Sequence, residues 1–129
     1  IMKKTFLKPF VFICLSLVIA TIAVASVVLD PPSPPRMVQV SDKTPNSCIV
    51  TYQKPVNDGG TPIISYDIEC MCLDGGSGKW ESKGVSTTLE HEINGLQPGS
   101  TILVRVSASN KVGKSEPTML EKPVAIPLK

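Results

Sequence analysis

The stretch S-T-I-L-V-R-V-S-A-S, from Ser100 to Ser109, decides the fold. Ile102, Val104, Val106 and Ala108 alternate with other residues, and Arg105 and Ser107 stand between them. A period of two puts the apolar set on one face of a β-strand, whereas a helical period of 3.6 would scatter it. The expectation is a strand with Ile102, Val104, Val106 and Ala108 inward and Arg105 and Ser107 facing solvent.

Working outward, short runs of the same kind recur between Gly, Pro, Asn and Asp, and no window has helical periodicity. The expected strands are Arg36 to Val40, Ser47 to Tyr52, Ile63 to Met71, Lys79 to Lys83, Thr88 to Ile93, Ser100 to Ser109 and Thr118 to Ile126. Seven strands at this spacing predict an all-β, antiparallel, immunoglobulin-like sandwich. Alternation turns Cys48, Val50 and Tyr52 inward on the second strand, and Ser47, Ile49 and Thr51 outward. On the third strand it turns Tyr66, Ile68 and Cys70 inward.

The 129 residues suffice for one self-supporting core. A net charge of +2, with both signs interspersed, argues against a nucleic-acid partner. Ahead of the strands, Lys3, Lys4 and Lys8 precede an apolar run from Phe10 to Leu29 that contains Ala23-Val24-Ala25. The first reading is a signal peptide, residues 1–25, cleaved after Ala25. The alternative is a retained membrane anchor extending to Leu29, the length of a span, with the lysines on the cytoplasmic side. Either places the domain outside the cell, secreted or on a single-pass anchor, and the membrane is touched only through this segment if it is retained. A third reading, prompted by Ile1 standing before Met2, is a fragment or a spurious leader.

Residues 26–35 form a Pro-rich linker in which Pro31-Pro32-Ser33-Pro34-Pro35 excludes helix and favours a stiff, extended spacer. Such a segment is also a form read by proline-binding grooves, but its position favours the spacer. The domain proper covers residues 36–126, with 127–129 as a tail.

These residues, taken in order, resemble the fibronectin type III domains. The subtype is that of titin- and twitchin-like muscle proteins and some neural adhesion receptors. The resemblance rests on Pro34-Pro35, Tyr52-Gln53-Lys54-Pro55, Asp58-Gly59-Gly60-Thr61-Pro62-Ile63 and Tyr66-Asp67-Ile68-Glu69. Trp80, Asn94-Gly95-Leu96-Gln97-Pro98-Gly99, Arg105 to Asn110 and Gly113-Lys114-Ser115-Glu116-Pro117 complete it. Two positions depart from the family pattern, which has tryptophan at Tyr52 and tyrosine at Ile102. Tyr52 fills much of the aromatic slot if its hydroxyl finds a partner. Ile102 loses a hydroxyl tie to the preceding turn, a cost on the order of 1 kcal/mol.

The residues that could carry chemistry do not assemble a reactive set. The single histidine, His91, lies between Glu90 and Glu92 and has no serine or cysteine partner in sequence that suggests a triad. Gly75-Gly76-Ser77-Gly78 lacks the Gly-Lys-Ser/Thr ending and helix start of a phosphate loop. Asp58, Asp67 and Asp74 lack calcium-loop spacing, and Asp58 instead caps a turn through Gly59 and Gly60. Cys48, Cys70 and Cys72 are an odd set without zinc-knuckle spacing, and read as buried thiols. No catalytic residue, cofactor or metal is expected. There is no glycosylation sequon and no Arg-Gly-Asp.

The resemblance places Lys54 to Pro62 and Asn110 to Glu116 at one end of the sandwich, where Asn57, Asp58, Lys111 and Lys114 would form a mixed-charge rim. These are the expected partner-binding residues. The expected role is a non-catalytic protein-protein interaction or adhesion module presented outside the cell. The alternative is a spacer or scaffold domain of an intracellular, sarcomeric, titin- or twitchin-like protein.

Overall fold

A computed structural model describes residues 27–76 and 78–129. The signal-peptide reading, residues 1–25, and all but the last three residues of the anchor reading lie outside the described residues. Among the described residues, no helix is long and apolar enough to cross a membrane.

Eight strands follow one another: β1 Arg36–Ser41, β2 Cys48–Gln53, β3 Ser65–Cys72, β4 Glu81–Ser86, β5 Glu90–Ile93, β6 Thr101–Ser109, β7 Thr118–Met119 and β8 Val124–Ala125. One sheet has the order β1-β2-β5, and the other β4-β3-β6-β7, with β8 also pairing β6. Every described pairing is antiparallel. The structure is the expected sandwich.

The inward faces are those that alternation assigned. Cys48, Val50 and Tyr52 from β2 meet Tyr66, Ile68 and Cys70 from β3 and Ile102, Val104, Val106 and Ala108 from β6, all buried. Ile93, Leu96, Leu120 and Ile126 close the core. Removing such side chains from water is the main stabilising term, roughly 1.5 to 3 kcal/mol for each large aliphatic.

Ser107 departs from expectation. It is 3% exposed, although its place in β6 turns it outward. Its β3 partner is Asp67, whose carboxylate lies 3.2 Å from the Lys114 ammonium. The segment after β6 folds back, with Ser115 N donating to Ala108 O at 2.7 Å, and covers this part of the outer face.

The expected strand from Thr118 to Ile126 is interrupted. Leu120 N still donates to Val104 O, but the next pairing joins Val124 to Ile102. Residues 121–123 therefore stand opposite Leu103 alone, a bulge ending in Pro123, which has no amide to give the ladder. Trp80, expected inside the fourth strand, precedes β4. The Arg105 guanidinium lies 4.3 Å from the centre of its ring and also bonds Glu69 at 2.9 Å.

Both family departures are accommodated. Tyr52 Oη donates to Thr88 O at 2.8 Å, so the phenol is buried without an orphaned hydroxyl. Near Ile102, the hydroxyl of buried Ser100 donates to Gln97 O at 2.7 Å, and Ser100 N reaches the same carbonyl. With Pro98 second and Gly99 third at φ 77°, this is a type II turn pattern held by serine.

Cys48, Cys70 and Cys72 are free thiols. Burial raises the pKa of Cys48, and pushes Cys70 up to about 11, because an ionised sulfur would lose its hydration inside the core. His91 spans the open side between sheets, its Nε2 lying 2.7 Å from Lys83 O. An added Cβ at Gly84 would meet the His91 ring at 2.9 Å, which explains a glycine there.

Candidate functional site

The candidate rim is built from the loop between β2 and β3, the loop between β6 and β7, and the Pro-rich segment before β1. Asn57 and Asp58 shape the first loop. Asn57 Oδ1 accepts from Gly59 N and Asp58 Oδ1 from Gly60 N, both at 2.9 Å. Gly59 and Gly60 have φ of 83° and 94°, a region other residues rarely adopt. The expected capping role of Asp58 is therefore present.

Asn110 joins the three segments. It is 4% exposed, and its Nδ2 donates to Asp58 O at 2.8 Å and to Asp30 O at 2.7 Å. Its Oδ1 accepts from Val112 N at 2.8 Å and Gly113 N at 3.1 Å, closing the second loop. One amide thus satisfies both of its ends inside the protein. The sequence reading used Asn110 and Gly113 only among the residues that carry the family resemblance, and gave Asn110 no role at the rim.

Of the four expected binding residues, Asn57 and Asp58 are brought beside this hub, and Lys111 follows it in the chain. Lys114 is paired with Asp67 on β3. Lys111 is exposed, and among the described residues it has no carboxylate within ion-pair distance. The rim is thus largely self-satisfied.

Beside Asn57 and Asp58 runs a groove of about 620 Å³, between this loop and the β4–β5 connection. Val56, Ile64 and Leu89 line it with Tyr66. Val56 is 81% exposed and Ile64 59%, so apolar side chains stand open to solvent in a groove that Lys54, Thr87 and Thr88 also line. The groove holds no set of groups arranged for nucleophilic or acid-base chemistry. Among the described residues, no cluster of His, Cys, Asp and Glu could hold a metal ion.

Two antiparallel sheets joined in this order, with loops gathered at the ends, define the class of immunoglobulin-like sandwich modules. The fibronectin type III domain profile matches residues 33–120, and the chain belongs to that family. It is similar to the titin homolog of Caenorhabditis elegans, 33% identical over 74% of this chain but 0%, to the nearest percent, of that protein. It is also similar to Roundabout homolog 2 of Homo sapiens, 36% identical over 74% of this chain and 7% of that protein. Among solved structures, domains A168-A170 from titin match with a TM-score of 0.72 and 30% identity, over 77% of this chain and 33% of that one. The chain thus spans under a tenth of either curated relative. The family is one of non-catalytic modules, found in both adhesion receptors and titin-like muscle proteins.

Proposed function

We propose that this domain is a non-catalytic protein-binding module, and that its contact surface is the groove beside Asn57 and Asp58 together with Lys111. The observation that carries the reading is the exposure of Val56 and Ile64 within one concave surface that Asn57 and Asp58 also line. Apolar side chains held in solvent by a rigid sheet scaffold are what a partner can bury, and the polar edge orients it. Lys114 contributes less, because Asp67 already engages it.

A photo-crosslinking residue placed at Val56, and separately at Lys111, tests the surface in cells. Both positions are expected to form an adduct with the same discrete protein, and one at Leu128 is not. No adduct from either would end this reading.

The apolar run before Ser26 supports presentation outside the cell. The intracellular, sarcomeric alternative is favoured by a different observation, the three unpaired thiols, since extracellular domains of this size commonly oxidise theirs. Labelling intact cells with a membrane-impermeant amine reagent separates the two. Modification of surface lysines such as Lys111 requires the outside location, and labelling only after permeabilisation requires the inside one.

A further inference from the structure

The segment ahead of β1 is exposed with a period of three. Pro32 and Pro35 are buried, Pro31 and Pro34 exposed, Ser33 half-buried and Arg36 exposed. A β-strand would repeat every two residues, whereas polyproline II repeats every three. The sequence enforces that helix, because each proline fixes its own φ, and a following proline holds Asp30, Pro31, Ser33 and Pro34 extended.

The helix docks on the domain through the buried edge of Pro32 and Pro35 and through Ser33, whose Oγ donates to Asn57 O at 3.1 Å and accepts from Asn57 N at 3.0 Å. Asp30 N donates to Gly59 O at 3.0 Å and Ser33 N to Asn57 O at 2.9 Å. Thr118 Oγ1 donates to Pro35 O on the far side. The Pro31 ring rests against Gly113, yet with Pro34 it still forms an outward edge. Arg36 donates from Nε to Lys54 O at 2.9 Å. Among the described residues no carboxylate pairs with its guanidinium.

We propose that the exposed edge of Pro31 and Pro34, with the Arg36 guanidinium presented beside it from the neighbouring edge, is a docking ridge for a proline-reading module of the SH3 type, one with an aromatic-lined groove flanked by an acidic pocket. Two prolines three residues apart on a solvent-facing edge are the shape such a groove receives. The ridge is ordered before it binds, so little conformational entropy remains to be lost on association. The guanidinium, which no carboxylate among the described residues engages, selects the acidic flank, where a carboxylate accepts charge-assisted hydrogen bonds. This surface is made of different residues from the groove beside Val56, and the binding chemistry does not depend on which compartment holds the domain.

The test uses isolated SH3 domains as the probe and two forms of the ridge, a synthetic peptide spanning Asp30 to Met37 and the full chain. The panel member that binds the peptide best is then titrated with the full chain by calorimetry. The chain is expected to bind at least as tightly as the peptide. Pro31→Ala with Pro34→Ala should weaken it tenfold or more, and Arg36→Gln several-fold. The thermal midpoint and Trp80 fluorescence of each variant show that it remains folded. Binding of the peptide but not of the chain would mean that the domain itself blocks the ridge, and would overturn the proposal. So would a peptide that no panel member binds, or chain binding indifferent to all three substitutions.

Discussion

Tyr52 of β2 and Tyr66 of β3 meet across the sandwich with ring centroids 4.8 Å apart and planes tilted by 48°. The strands belong to different sheets, so this pair bridges the two layers. Tilted rings let the edge of one approach the face of the other, a preferred aromatic arrangement. Burial raises the pKa of both phenols.

Replacing Tyr52 by alanine should cost about 3 to 5 kcal/mol, the range for a buried large aromatic. Thr51→Ala, one residue away on the outer face, should cost well under about 1 kcal/mol. Tyr52→Phe isolates the hydroxyl bond to Thr88 O and should cost on the order of 1 kcal/mol. Urea melts of the three variants give the ordering. Equal losses at 51 and 52 would contradict the register.

Asn110 should be the most sensitive loop position. Asn110→Ala removes both donor and acceptor, and leaves the carbonyls of Asp30 and Asp58 without this partner. The expected loss is about 2 to 3 kcal/mol, since four part-buried hydrogen bonds are lost together. Release of the Pro-rich segment should accompany it, read as faster proteolysis around Val28 to Asp30. A melt that changes while the cleavage rate does not would show that Asn110 holds only its own loop.

Gly59 and Gly75 separate two costs that usually occur together. Both have positive φ, 83° and 66°, so alanine is strained at either. A Cβ at Gly75 meets open space, whereas one at Gly59 would collide with Asp30 O. Gly75→Ala should therefore cost about 1 kcal/mol from backbone strain alone. Gly59→Ala should cost clearly more and loosen the segment before β1. Thermal denaturation compares them, and equal effects would mean that contact with Asp30 contributes nothing.

The buried thiols set an alkaline limit. Cys70 keeps its proton in the folded state up to about 11, against an ordinary value of 9.0. Between those values the unfolded chain has released that proton and the folded one has not, so stability falls as pH rises from about 9 to 11. Cys48 acts in the same direction. Cys70→Ala should flatten the fall, as measured by urea unfolding across that range. At neutral pH, alkylation should reach partly exposed Cys72 first, and Cys48 and Cys70 only on unfolding. An unchanged slope in the variant would remove Cys70 as the cause.

Alternation in β2, β3 and β6 was legible because a strand exposes its period in every two residues. The capped turn at Asp58 was legible too, because its bonds join near neighbours. The end of the chain was less so. A run from Thr118 to Ile126 reads as continuous, but Pro123 and the return of Leu120 to the core break it into β7 and β8. The rim was legible as a location and not as a set of contacts: the loops meet, but Lys114 is taken by Asp67, and Asn110 makes the junction.

The sequence by itself determined the strand faces, the turn glycines and the extended form of the Pro-rich segment, because each follows from sterics or periodicity within a few residues. Only the tertiary structure decided which edge of that segment is buried, why Ser107 is covered, and how Asn110 is used. Asn110 and Asp30 are 80 positions apart, and Thr118 and Pro35 are 83. No local pattern encodes such a pairing. It arises when packing of the two sheets brings distant loops together and their buried polar groups must find partners there.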